Sequence, residues 1–258
     1  MKIIALCNQK GGVGKTTTAV NLGSALQLSG KKVLLVDLDP QANLSSYLGY
    51  EGDDNATITD LFMMLATSAK LDDEVVQEAI RHNEQNDLDF IPSDINLSKA
   101  EVSLMQAISR ETLLKRILRK EILSKYDYIL IDCLPSLGVL ISNALAAADG
   151  IIIPVQTQKF ALDGLSGLES VYEQIQININ ENLKLIGVLP TMVDATNMTK
   201  TIISKLEEMY GDKLFETKIS KSVEAANSSE RMIALTLTKH KLGDEYKALA
   251  KEVIKRCK

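Results

Sequence analysis

Apolar positions along the chain alternate between two spacings. Residues Lys2–Cys7 (KIIALC) form a short, apolar run rich in β-formers, which reads as a buried parallel strand. A few residues on, the spacing lengthens: Ala19, Leu22, Gly23 and Leu26 share one face of a helix expected to begin at Thr16. Further strands are expected at Lys32–Asp37, Leu88–Pro92, Tyr128–Asp132, Gly150–Val155, Lys184–Val193 and Leu214–Thr217. Residues 57–87 read as a helical addition to this repeat, and Tyr50–Asn55 as an exposed acidic loop. Near the end of the chain, Tyr246, Leu249, Ala250, Val253, Ile254 and Cys257 fall at helical spacing and predict a helix docked on the body of the protein. Strand–helix alternation throughout predicts an α/β fold, a mostly parallel twisted sheet with helices on both faces. The 258 residues are expected to form a single domain, residues 1–258. Several strands end in a polar or acidic residue, at the edge where such sheets bind ligands.

Composition narrows the function. Aromatic residues make up 4% and tryptophan is absent, so the core is aliphatic. The net charge of −5 argues against an evenly basic nucleic-acid clamp and leaves room for a local basic patch. Cys7, Cys133 and Cys257 form no C-x-x-C pair and read as buried or half-buried thiols rather than ligands. With no signal peptide in view, a reducing cytoplasm is expected. No apolar run approaches the length of a membrane span.

The chemistry concentrates after the first strand, in Asn8-Gln9-Lys10-Gly11-Gly12-Val13-Gly14-Lys15-Thr16-Thr17. Glycines let the backbone curl and turn several N–H groups inward, and the following helix N-terminus adds partial positive charge. Lys15 supplies a full charge for the β- and γ-phosphates, and the Thr16 hydroxyl is placed for Mg²⁺. Gly12-Val13-Gly14 also opens a dinucleotide fingerprint, with Asp37 about twenty residues on. Lys15-Thr16 inside the loop decides for a triphosphate with Mg²⁺. Gln9 stands where the strict P-loop pattern has its first glycine, and Lys10 adds a second lysine.

Two further strands end in carboxylates. Lys32–Asp37 runs on to Leu38-Asp39-Pro40-Gln41, delivering Asp37 and Asp39 on alternate positions of the pleat. Tyr128-Ile129-Leu130-Ile131-Asp132 has the form of a Walker B strand, placing Asp132 near the metal. Acids beside such a site orient water or metal-bound water.

The loop is similar to the deviant Walker A box, KGGxGK followed by Ser or Thr, of the ParA/MinD ATPases. The match extends through Cys133-Leu134-Pro135-Ser136-Leu137-Gly138, Gly187–Asp194 and Lys247–Val253, and is nearest the Soj-like partition ATPases. The resemblance implies an Mg²⁺-dependent ATPase with Lys10 reaching across a homodimer to the partner's ATP. Gly11, Gly12, Val13, Gly14, Lys15, Thr16 and Thr17 would form the cradle. Thr16 and Asp132 would serve the metal, and Asp39, supported by Asp37, the metal-bound or attacking water. Met192 would lie by the adenine. Ala42 stands where the family usually has glycine, implying a stiffer loop and slow hydrolysis.

The resemblance also implies an ATP-bound dimer that binds DNA non-specifically and is released when a ParB-like centromere-binding partner stimulates hydrolysis. Its expected setting is the bacterial cytoplasm, on the nucleoid when ATP is bound. Lys221, Lys239, Lys241 and Lys247 are the candidate phosphate contacts. Lys221 and Glu224 replace family arginines there, which alters that surface. A MinD-like, membrane-associated division ATPase is the alternative; the terminal helix lacks Phe or Trp on its apolar face and suits a protein groove better than a bilayer. An iron–sulfur relative would need a second suitably placed cysteine beside Cys133.

Overall fold

The computed structural model describes residues 1–67, 70–158 and 165–258. Seven strands form one sheet: β1 Lys2–Leu6, β2 Val33–Leu38, β3 Arg81–Asn83, β4 Leu88–Ile91, β5 Tyr128–Cys133, β6 Gly150–Gln156 and β7 Lys184–Thr191. The helices are α1 Lys15–Leu28, α2 Asn43–Tyr47, α3 Ile58–Thr67, α4 Asp73–Glu78, α5 Leu97–Leu104, α6 Leu113–Leu118, α7 Val139–Ala147, α8 Leu165–Asn178, α9 Asn197–Tyr210, α10 Glu224–Glu230 and α11 Lys241–Arg256. The strand order is β3-β4-β2-β5-β1-β6-β7, parallel except for β3 on β4.

The period of two along each strand sorts the core onto two faces. Ile3, Ala5 and Cys7 of the first segment join Leu34, Val36 and Leu38 against α3 and α5–α8, whereas Ile4, Leu6, Val33 and Leu35 face α1, α2 and α11. On β5 the odd positions Ile129, Ile131 and Cys133 take the first face, so Asp132 turns to the side of α1. Asp37 of β2 shares that side, and the register sets Asp37 opposite Asp132. The topology thus gathers two acids beneath the glycine loop that follows β1.

Two element assignments differ from the sequence expectation. Within residues 57–87, of which 68–69 lie outside the described residues, α3 and α4 form as expected, but Arg81–Asn83 is an antiparallel edge strand. Its three polar residues carry no apolar period to reveal it. Leu214–Thr217 runs beside β7 without becoming a strand: only Val188↔Leu214 bridges there. The N–H groups of Glu216 and Thr217 donate to the Glu252 carboxylate at 3.0 and 3.1 Å, which diverts them from ladder partners. The terminal helix docks as expected, with Tyr246, Leu249, Ala250 and Val253 buried.

A buried polar seam fixes the C-terminal segment to α1. Asn21 donates to the Thr17 carbonyl at 2.8 Å and accepts from the Leu235 N–H at 2.7 Å; Thr236 and Ser24 hydroxyls pair at 2.6 Å. The Tyr47 hydroxyl at the end of α2 pairs with Ser228 at 2.6 Å. No buried side-chain polar atom of this seam lacks a partner among the described residues, which favours this docking of the helices.

Candidate nucleotide site

The glycine loop is held from strands β6 and β7. Asn8 donates through its amide to the Pro154 carbonyl at 2.7 Å and accepts the Lys10 N–H at 2.9 Å. The Thr191 hydroxyl, at the end of β7, donates to the Val13 carbonyl at 2.9 Å. Gly12 and Gly14 sit at φ 72° and 86°, which a side chain would oppose. Gly14 caps α1 without a side-chain acceptor, and the first turn carries no acid. The first N–H groups of the helix therefore remain open to an anion.

The two lysines of the loop differ. Lys15 is only 7% exposed and its Nζ donates to the Lys10 carbonyl at 3.3 Å, folding the charge over the loop. Lys10 is half-buried, and its ammonium has no partner among the described residues.

Asp132 is 1% exposed and neither carboxylate oxygen has a hydrogen-bond partner. Burial, reinforced by the charge of Asp37, pushes its pKa up to about 8, against the pull of Thr16 and Lys15. Burial raises Asp37 to about 6, opposed by its hydrogen bonds. Asp37 accepts from the Ser45 hydroxyl at 2.7 Å, the Ser45 N–H at 2.9 Å and the Asp39 N–H at 3.1 Å. Ser45 in turn accepts from the Ser93 N–H at 2.9 Å, beyond β4. Asp37 is thus the anchor of the loop that carries Asp39. Asp39 is half-buried and accepts the Gln41 N–H at 2.9 Å.

Ala42 closes that loop at φ 52°, in the left-handed region. For alanine this costs about 1–2 kcal/mol, partly offset by the roughly 0.4–1 kcal/mol of unfolded-chain entropy that glycine adds. Ala42→Gly is therefore expected to stabilise the protein by about 0.5–1 kcal/mol. A calorimetric melt should show a rise of about 1–4 °C; an unchanged or lower midpoint would contradict the strain.

Met192 follows Thr191 at the same edge, half-buried, at φ 52°. Its sulfur accepts from the Gln156 amide at 3.1 Å and its carbonyl from the Thr157 hydroxyl at 3.3 Å. The expected basic residues lie elsewhere. Lys241 reaches Ser220 at 2.9 Å and Glu245 at 3.2 Å, Lys221 adjoins that same Ser220 on the chain, and Lys247 pairs with Asp244 at 3.6 Å. Lys239 is exposed on the approach to α11. Asn8, Ser45 and Thr191 act through tertiary hydrogen bonds that no local motif announces. Cys7 and Cys133, distant in sequence, lie 3.3 Å apart because β1 and β5 are neighbours, and both are buried.

A family model described as an AAA domain matches residues 1–185. The sporulation initiation inhibitor protein Soj of Bacillus subtilis is 44% identical over 98% of both chains. The chromosome-partitioning ATPase Soj of Treponema pallidum is 39% identical over 99% of this chain and 98% of its own. The chain belongs to the Soj/ParA family of partition ATPases. Among solved structures, a cobyrinic acid a,c-diamide synthase from Mycobacterium smegmatis, with bound ATP analogue and magnesium, superimposes with TM-score 0.84 at 30% identity, covering 100% of this chain and 96% of its own. That likeness reports the shared nucleotide fold; the higher identity to Soj proteins assigns the biology.

This Soj/ParA-family chain is a DNA-segregation ATPase, and the Mycobacterium smegmatis neighbour binds an ATP analogue with magnesium. The residues fit that pair. An open helix N-terminus and a buried lysine suit the phosphates, and the unpartnered Asp132 carboxylate supplies an acceptor for a hydrated cation. No group of three or more His, Cys, Asp or Glu side chains among the described residues could hold a metal. Mg²⁺ needs no such cage, since phosphates and water fill most of its shell.

Proposed function

We propose that ATP closes two copies of this chain into a dimer through Lys10, and that the dimer is the DNA-binding state. Lys15, the backbone of Gly11–Gly14 and Thr17 hold the phosphates, and Met192 borders the base. Thr16 would hold the metal, with Asp132 supporting it. Asp39 orients the attacking water while Asp37 positions Asp39. Bound Mg²⁺·ATP supplies the phosphoryl group and the cation that neutralises developing charge, and the protein contributes position and electrostatics. The whole chain, residues 1–258, acts as one ATPase domain.

The contrast between the two lysines carries the dimer reading: Lys15 is folded into its own loop, whereas the Lys10 ammonium is left over. Lys221, Lys239, Lys241 and Lys247 would contact phosphates, doubled in a dimer, and a ParB-like partner would trigger release. The setting is the bacterial cytoplasm, with the ATP form on the nucleoid. The apolar face of α11 is buried against α1, which leaves it no surface for a bilayer, and no helix among the described residues is long and apolar enough to cross one.

Light scattering with a non-hydrolysable ATP analogue and Mg²⁺ tests the reading. The protein is expected at dimer mass, and Lys10→Ala at monomer mass with nucleotide affinity retained. A wild-type monomer under saturating analogue would overturn it.

A further inference from the structure

A groove of about 1050 Å³ lies at the amino edge of the sheet, opposite the nucleotide loop. It is framed by the starts of β1, β6 and β7 and by the last turns of α11. Lys2, Lys184, Lys251, Lys255 and Lys258 line it, all exposed, and none of their ammonium groups has an ion-pair or hydrogen-bond partner among the described residues.

The acids of the groove are mostly engaged. Asp149 accepts from the Ile3 N–H at 2.7 Å and from Arg119 at 2.6 Å. Glu252 holds the Glu216 and Thr217 N–H groups and Arg256 at 2.7 Å. Arg256 is itself committed to the Ile186 and Leu214 carbonyls and stacks over Phe215 at 4.2 Å. Asp212 pairs with Lys213, also in the lining, at 3.9 Å, which leaves Glu216 as the acid without a partner among the described residues against the five lysines. On a chain of net charge −5, such a concentration of uncompensated like charge calls for a polyanion.

The donor set also selects the ligand. No arginine fork is available to read a base edge or grip one phosphate bidentately. What remains is a row of point charges, with Lys251 and Lys255 one helical turn apart, suited to successive backbone phosphates and indifferent to sequence. We propose that this groove binds the phosphodiester backbone of DNA, as a second contact surface remote from Lys221 and Lys239. It rests on the reading of the chain as a DNA-binding partition ATPase.

The test is DNA affinity against salt for the full-length protein, with ATP and without nucleotide, using fluorescent duplex of mixed sequence. The variant Lys184→Gln/Lys251→Gln/Lys255→Gln leaves the nucleotide site untouched. Its DNA affinity is expected to fall about tenfold or more, with the slope of log affinity on log salt shallower by about 3 per protomer. DNA-independent ATP turnover and the melting midpoint should match wild type, and arginine at the same three positions should restore binding. Lys221→Gln/Lys239→Gln should leave the groove's share of the salt slope in place. Wild-type binding with an unchanged slope in the groove variant would overturn the groove and leave the partition reading intact. Wild type that binds no DNA in any nucleotide state would remove both. Groove-dependent pelleting with phosphatidylglycerol vesicles, without any effect of the groove variant on DNA, would overturn the proposal in favour of a lipid surface.

Discussion

Lys15→Ala is expected to abolish measurable ATP turnover, with a loss of at least about a hundredfold to a thousandfold. The ammonium is the charge held inside the loop, shielded from water and folded over onto the Lys10 carbonyl. Charge stabilisation in so secluded a place is far stronger than at the surface. Nucleotide binding should fail with it. Wild type should gain about 2.7 kcal/mol of stability at a hundred times its dissociation constant, and the variant none under the same conditions. Phosphate release and melting with and without Mg²⁺·ATP measure both effects. A variant that still hydrolyses ATP at the wild-type rate would remove the loop from the chemistry.

Asp132→Asn is expected to have the second largest effect, and its signature is pH dependence. Asp132 and Asp37 are raised to about 8 and about 6 from 3.8. Between 3.8 and those values the folded chain retains protons that the unfolded chain has released. The associated stability is fully present below 3.8 and is lost as the pH climbs through 6 and then 8. Without nucleotide, the wild-type melting midpoint should therefore fall between about pH 5 and pH 8.5. Mg²⁺ favours the ionised carboxylate, so Mg²⁺·ATP binding should release protons and strengthen over the same range. Asparagine carries no proton to lose. The variant should show a flatter nucleotide-free profile above about pH 6, and turnover lowered by about a hundredfold or more. An identical pH slope in variant and wild type would place the titration elsewhere.

Much of this arrangement is legible in the sequence because it depends on short-range pattern. Apolar runs located β1, β2, β4, β5, β6 and β7, and the glycine spacing located the loop between β1 and α1. The polar Arg81–Asn83 strand escaped because its ordering comes from β4, not from its own residues. Leu214–Thr217 misled because its apolar start suits a strand while a carboxylate thirty-odd residues later claims its N–H groups. The acids Asp37 and Asp132 could be named in advance, but their side-by-side burial follows from strand order. Ser45 and Thr191 were invisible for the same reason: each becomes a support only when another strand end arrives beside it.

The two margins of the sheet bear on how copies of the molecule can meet. One ends in a strand of three residues, Arg81–Asn83, too short to template a neighbour; the other is flanked by residues 214–221 through the Val188–Leu214 and Val193–Ser220 bridges. Among the described residues, neither side offers a long row of vacant amides on which further chains could zip. The backbone itself therefore disfavours lateral stitching of sheets between copies.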